Sequence, residues 1–142
     1  MMLHPQFRLN GNAYNPERLL ATAKKWQAHT DIEQKDLGLF LEDWLNDEES
    51  IVLNTSGSTG TPKPIIMAKK TMQASAKRTA AFFKLSPGDT ALLCLPTRYI
   101  AGKMMVVRAM VIGLELDVIP SKTTVNLPVS YTHLTLPTIC SV

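Results

Sequence analysis

The chain has 142 residues, enough for one domain with a sizeable core, and its composition of 45% hydrophobic and 19% charged residues is that of an ordinary soluble globular protein. A net charge of +3, spread over scattered lysines and arginines, calls for neither a nucleic-acid nor a membrane partner. No apolar run approaches membrane-spanning length, His4, Gln6 and Arg8 interrupt any signal-peptide core, and Cys94 and Cys140 have no metal or redox spacing, so a cytoplasmic location is expected.

Phe7–Leu9 and Ala13–Tyr14 flank Asn10-Gly11-Asn12, a turn signal that predicts a small hairpin. Asn15-Pro16 then opens a helix, with Asn as the cap, Pro at its first position, and Leu19, Ala23 and Trp26 on the apolar face. Thr30-Asp31-Ile32-Glu33 has capping-box spacing with Thr30 as the cap. The helix after it carries Leu37, Phe40, Leu41, Trp44 and Leu45 at helical intervals and ends near Asn46.

The acidic turn Asp47-Glu48-Glu49 leads to Ile51-Val52-Leu53, which reads as a buried strand. A second extended run follows at Pro64–Met67. Met72, Ala76, Thr79, Ala80 and Phe83 mark a third helix, broken by Ser86-Pro87-Gly88-Asp89. A strand around Leu92 holds Cys94 as a buried apolar residue. A helix with Ile100, Met104, Val107 and Val111 ends at Gly113, and Leu116–Ile119 is one more strand. The methionines of this half are core filler. Alternation of strands and helices from Ile51 onward predicts an α/β fold with a mostly parallel sheet and flanking helices.

Between the first two of these strands lies Thr55-Ser56-Gly57-Ser58-Thr59-Gly60-Thr61-Pro62-Lys63. A strand emptying into such a loop presents backbone N–H groups, hydroxyls and one ammonium around a small concavity, an arrangement that holds a polyphosphate. Gly57 and Gly60 allow the close approach that a side chain would block. Lys63 adds a point charge for the terminal phosphates. The loop lacks the Gly-Lys-Ser/Thr ending of the P-loop of nucleotide hydrolases.

All nine positions resemble the phosphate-binding signature of the adenylate-forming superfamily, which includes acyl- and aryl-CoA ligases, luciferases and peptide-synthetase adenylation domains. The resemblance implies that Thr55, Ser56, Gly57, Ser58, Thr59, Gly60, Thr61 and Lys63 grip the β- and γ-phosphates of ATP while a carboxylate attacks the α-phosphate. A second block, Leu95-Pro96, Tyr99, Ala101, Gly102 and Arg108, is similar to the segment after that loop in o-succinylbenzoate–CoA ligases of menaquinone synthesis. The substrates and cofactor implied are ATP, Mg2+, coenzyme A and a small carboxylic acid; no oligomeric state is implied. Tyr99, Gly102, Lys103 and Arg108 are the candidate substrate-binding residues. The activated acid there has a second carboxylate, for which a cation is expected. Lys103, beside Gly102 near a helix N-terminus, and Arg108 are the cations available. Five residues apart on one helix, they do not bind jointly, and a surface or interhelical ion pair is at least an equal reading of Arg108.

The family's aromatic-Gly-x-Thr-Glu segment, ribose-binding Asp, hinge and mobile C-terminal lysine are absent. No catalytic residue and no metal ligand is therefore assigned, and residues 1–128 are read as an inactive N-terminal fragment of the large AMP-binding domain. The alternatives are a ligase for another acyl or aryl acid, and a short non-catalytic phosphate-binding module. Residues 129–142 resemble a translation, in one frame, of the transposon adapter used to prepare sequencing libraries. Ile139 to Ser141 correspond to its last base plus a short index, and Val142 to the next constant codon before a stop. His133, for all its neighbouring Ser and Thr, is given no role.

Overall fold

The structure is a computed structural model in which residues 3–55 and 63–119 are described. The chain opens with a hairpin of β1 (Arg8–Leu9) and β2 (Asn12–Ala13), with Leu9 opposite Asn12. Its turn needs two positive φ angles, supplied by Asn10 at 51° and Gly11 at 81°. Helix α1 (Pro16–Trp26) starts as its sequence requires: Asn15 Oδ1 accepts from Arg18 N at 2.7 Å, and Pro16 sits where no amide partner is needed.

Helix α2 (Ile32–Leu45) is capped by Asp31 rather than by Thr30. The Asp31 carboxylate accepts from Glu33 N at 3.2 Å, and its charge favours the helix N-terminus. Helices α1 and α2 pack closely at Gly38, where a Cβ would stand 3.0 Å from Trp26 Cβ and closer still to the Ala23 carbonyl oxygen.

Strands β3 (Ser50–Thr55) and β4 (Lys63–Ala68) follow, then α3 (Lys69–Phe83), β5 (Thr90–Leu93), α4 (Ile100–Ile112) and β6 (Glu115–Val118). Gly113 closes α4 in the left-handed region at φ 91°. One sheet has the order β2-β1-β6-β5, with β1–β6 and β5–β6 parallel and β1–β2 antiparallel. The pair β3–β4 forms a separate two-stranded sheet and is antiparallel throughout, from Ser50 opposite Ala68 to Thr55 opposite Lys63.

The α/β class with flanking helices holds, and two of the three pairings in the four-stranded sheet are parallel, whereas the separate β3–β4 pair is antiparallel. The reason is chain length. Only residues 56–62 join β3 to β4, and a parallel crossover needs about a dozen or more. The reading of Ile51-Val52-Leu53 as wholly buried is corrected. Ile51 and Leu53 are buried, whereas Val52 is 57% exposed, as the two-residue period of a strand with one covered face demands. The core beneath both sheets is built from Phe7, Leu9, Leu19, Leu41, Trp44, Leu53, Met72, Met110 and Leu116. Helix α4 lies inside it and is apolar nearly all round, the pattern of a helix covered on every side.

Candidate functional site

The two ends of the Thr55–Lys63 motif stand at the tip of the β3–β4 hairpin. Thr55 is the last residue of β3, Lys63 is the exposed first residue of β4, and the two are paired across the ladder. Ser56, Gly57, Ser58, Thr59, Gly60 and Thr61 lie outside the described residues, as do residues 129–142 of the adapter-like tail.

Beside this tip is a cavity of about 280 Å3 lined by Asn54, Leu95, Tyr99, Ile100 and Ala101. It brings the strand that enters the motif against the end of the β5 segment and the first turn of α4. Tyr99 was singled out by the sequence pattern and lines this cavity, its ring half exposed and 5.3 Å below the Arg98 guanidinium. Asn54 was not singled out, although its place directly before Thr55 is the signal that would have found it. A larger cavity, about 400 Å3, lies at the opposite end of the hairpin, between residues 46–50 and 68–73, and holds none of the candidates.

Gly102 packs rather than lines. A Cβ there would stand 2.8 Å from the Pro96 carbonyl carbon, 2.9 Å from the Leu95 oxygen and closer still to the Pro96 oxygen. Only glycine lets α4 begin so close to the turn that precedes it.

The two candidate cations are separated, as their spacing on the helix requires. Lys103 Nζ donates to the Thr97 carbonyl at 2.5 Å and lies 5.8 Å from the centroid of the Phe40 ring on α2. Burial pulls the ammonium below its ordinary pKa, and Asp36 and Asp43 act in the opposite direction. Arg108 is 8% exposed, and its Nε and Nη1 have no hydrogen-bond partner among the described residues. Burial alone holds its guanidinium below the ordinary value, with no carboxylate opposing it. The reading of Arg108 in an ion pair with another element thus finds no partner among the described residues. Among these residues no group of three or more His, Cys, Asp or Glu could hold a metal ion. Among the described residues no helix is long and apolar enough to cross a membrane.

Comparison with known proteins gives this geometry a context. A probable 2-succinylbenzoate–CoA ligase of Mycobacterium tuberculosis is 35% identical over 69 residues, 49% of this chain and 18% of that protein. A probable CoA ligase of Humulus lupulus is 32% identical over 57 residues, 40% of this chain and 9% of that protein. Among solved structures, an acyl-CoA synthetase (AMP-forming)/AMP-acid ligase II-like protein from Dyadobacter fermentans is similar, with a TM-score of 0.63 and 36% identity. That match covers 80% of this chain and 31% of the other, so the chain spans less than a third of each of these relatives. The model of the AMP-binding enzyme family matches residues 10–139. With the family match covering most of its length, the chain belongs to the AMP-binding enzymes.

Proposed function

We propose that this chain is the N-terminal, phosphate-gripping part of an ATP-dependent acid–CoA ligase, acting in the cytoplasm on o-succinylbenzoate. In this reading Thr55, Ser56, Gly57, Ser58, Thr59, Gly60, Thr61 and Lys63 hold the β- and γ-phosphates of ATP, which arrives with Mg2+. Lys63 offsets the charge that builds on pyrophosphate as the acid's carboxylate attacks the α-phosphate. The acid lies in the cavity of Asn54, Tyr99 and Ala101, shaped by the close approach at Gly102. Coenzyme A then takes the acyl group. Residues 1–128 are the enzyme part and 129–142 the adapter-derived part.

The observation that carries the choice of a dicarboxylic acid is Arg108. A buried guanidinium with unsatisfied N–H groups is costly unless an anion meets it. Ala101, which lines the cavity, and Arg108 are seven residues apart and so share one stripe of α4, about 10 Å along the axis. A second carboxylate on the acid is the partner this arrangement suits.

The test is acid-dependent ATP–pyrophosphate exchange by the complete ligase that contains residues 1–128. Exchange is expected with 2-succinylbenzoate and only weakly with its monocarboxylate analogues. Equal exchange with a monocarboxylic acyl or aryl acid would reassign the substrate.

A further inference from the structure

We infer that Lys103 is a positioning residue, whose ammonium ties the Pro96–Tyr99 turn to α2 and thereby sets the Tyr99 wall of the cavity. Three observations converge on it. The Lys103 ammonium is spent on the Thr97 carbonyl at 2.5 Å, and Thr97 itself is buried. From the other side it faces the Phe40 ring at 5.8 Å, within the range of a favourable cation–ring contact. On α2, Asp36, Phe40 and Asp43 stand at helical spacing on one stripe, and both carboxylates attract the Lys103 ammonium. Asp36 Oδ2 is buried with no hydrogen-bond partner among the described residues.

The turn so held is short and otherwise closed only by backbone. Tyr99 N donates to the Pro96 carbonyl at 3.2 Å, and Lys103 N to the Tyr99 carbonyl at 3.1 Å. Tyr99 caps α4 without any side-chain hydrogen bond. Lys103 is not among the residues that line the cavity. It therefore acts through Thr97 and Tyr99 rather than on a bound acid. This assignment rests on the proposed acid-binding role of the cavity only for its effect on the substrate; the tether itself does not.

The experiment has two arms. In the 142-residue chain, amide hydrogen exchange is followed for wild type, Lys103→Met and Lys103→Arg. Losing the charge-assisted bond to Thr97 should speed exchange of the Tyr99 and Lys103 amides about tenfold, with α1 and α3 unchanged and Lys103→Arg largely restoring protection. Unchanged exchange in Lys103→Met overturns the tether. Should that variant not fold, the wild-type ammonium decides. Its protons should exchange more slowly than those of exposed Lys24, and equal rates overturn the tether. In the complete ligase, Lys103→Met should raise KM for mono- and dicarboxylic acids by the same factor and leave KM for ATP unchanged. A loss confined to dicarboxylic acids would make Lys103 a direct ligand and overturn the positioning role. Absence of acid activation in the wild-type ligase counts against the proposed function alone, and the exchange arm still decides the tether.

Discussion

The Lys69 ammonium, on the first residue of α3, donates to Oδ1 of Asn46 at 2.7 Å and to the Asn46 backbone carbonyl at 3.2 Å, just past the end of α2. Lys69 is only 2% exposed, and burial lowers its pKa against the pull of Asp43, Glu48 and Asp47. A cation at a helix C-terminus is favoured by the helix dipole. The base of the β3–β4 hairpin is held at the same place, since Lys69 N donates to the Glu49 carbonyl at 2.9 Å. Asn46→Ala removes the shorter of the two ammonium bonds and leaves a buried donor under-satisfied. The expected loss is about 1–3 kcal/mol in denaturant unfolding, with the urea dependence unchanged.

Gly102→Ala should destabilise the fold by roughly 1–3 kcal/mol, because the new methyl group meets backbone that has no rotamer to escape into. The cavity beside Tyr99 should deform with it, so a binding loss that exceeds the stability loss is expected for any acid that occupies it. Thermal unfolding and acid titration of the same variant check both statements.

Lys63→Ala, made in the complete ligase, should slow adenylation about a hundredfold, or on the order of 3 kcal/mol, while weakening ATP binding far less. The thioester step from preformed acyl-adenylate should be nearly unchanged. An adenylation rate within about twofold of wild type would reduce Lys63 to a solvated surface cation.

The 142-residue chain should release no pyrophosphate with ATP, magnesium and 2-succinylbenzoate. Re-reading the source DNA should show the coding frame diverging near Pro128. Steady turnover, or an independent assembly running unchanged through His133 to Val142, would contradict these two expectations respectively.

Asp117 offers a pH test. Burial first, and the neighbouring Glu115 carboxylate second, raise its carboxyl above the ordinary 3.8. A raised folded pKa means that the stability it contributes is complete below 3.8 and is lost as pH rises through the folded value. Glu115→Gln removes the smaller cause. Carboxyl NMR should show the Asp117 midpoint falling toward 3.8 without reaching it, and the variant should gain stability over wild type above that midpoint.

Much of the architecture is written in short-range chemistry. Asn10-Gly11, Asn15-Pro16 and Gly113 each specify a local backbone state, and each element they bound appears where expected. The strand pairing was less legible, because a row of strands and helices does not say which neighbours join. Val52 shows the consequence: its β-branched side chain suits a buried strand, yet its partner Ile66 is also exposed, at 76%, on the uncovered face of a two-stranded sheet. Thr30 and Asp31 both suit a helix start, and one residue of register decided between them. At the site, Tyr99 was legible from its motif. The engagement of Lys103 with Thr97 and Phe40 was not, since Phe40 lies far away in sequence and meets it only through tertiary packing.

The placement of β1 between β2 and β6 has a consequence for how the chain acquires its structure. Helices α1 and α2, and the β3–β4 hairpin, join neighbours along the chain and can form as soon as they are made. The four-stranded sheet cannot. Leu9 finds Leu116 as its partner, and Asn10 Oδ1 accepts from Val118 N at 2.8 Å across 108 residues. During synthesis the first hairpin therefore waits, with one edge unpaired, until almost the last described residue has emerged. A variant that slows α4 or β6 should lengthen that interval and increase capture by chaperones, with no change in the finished protein.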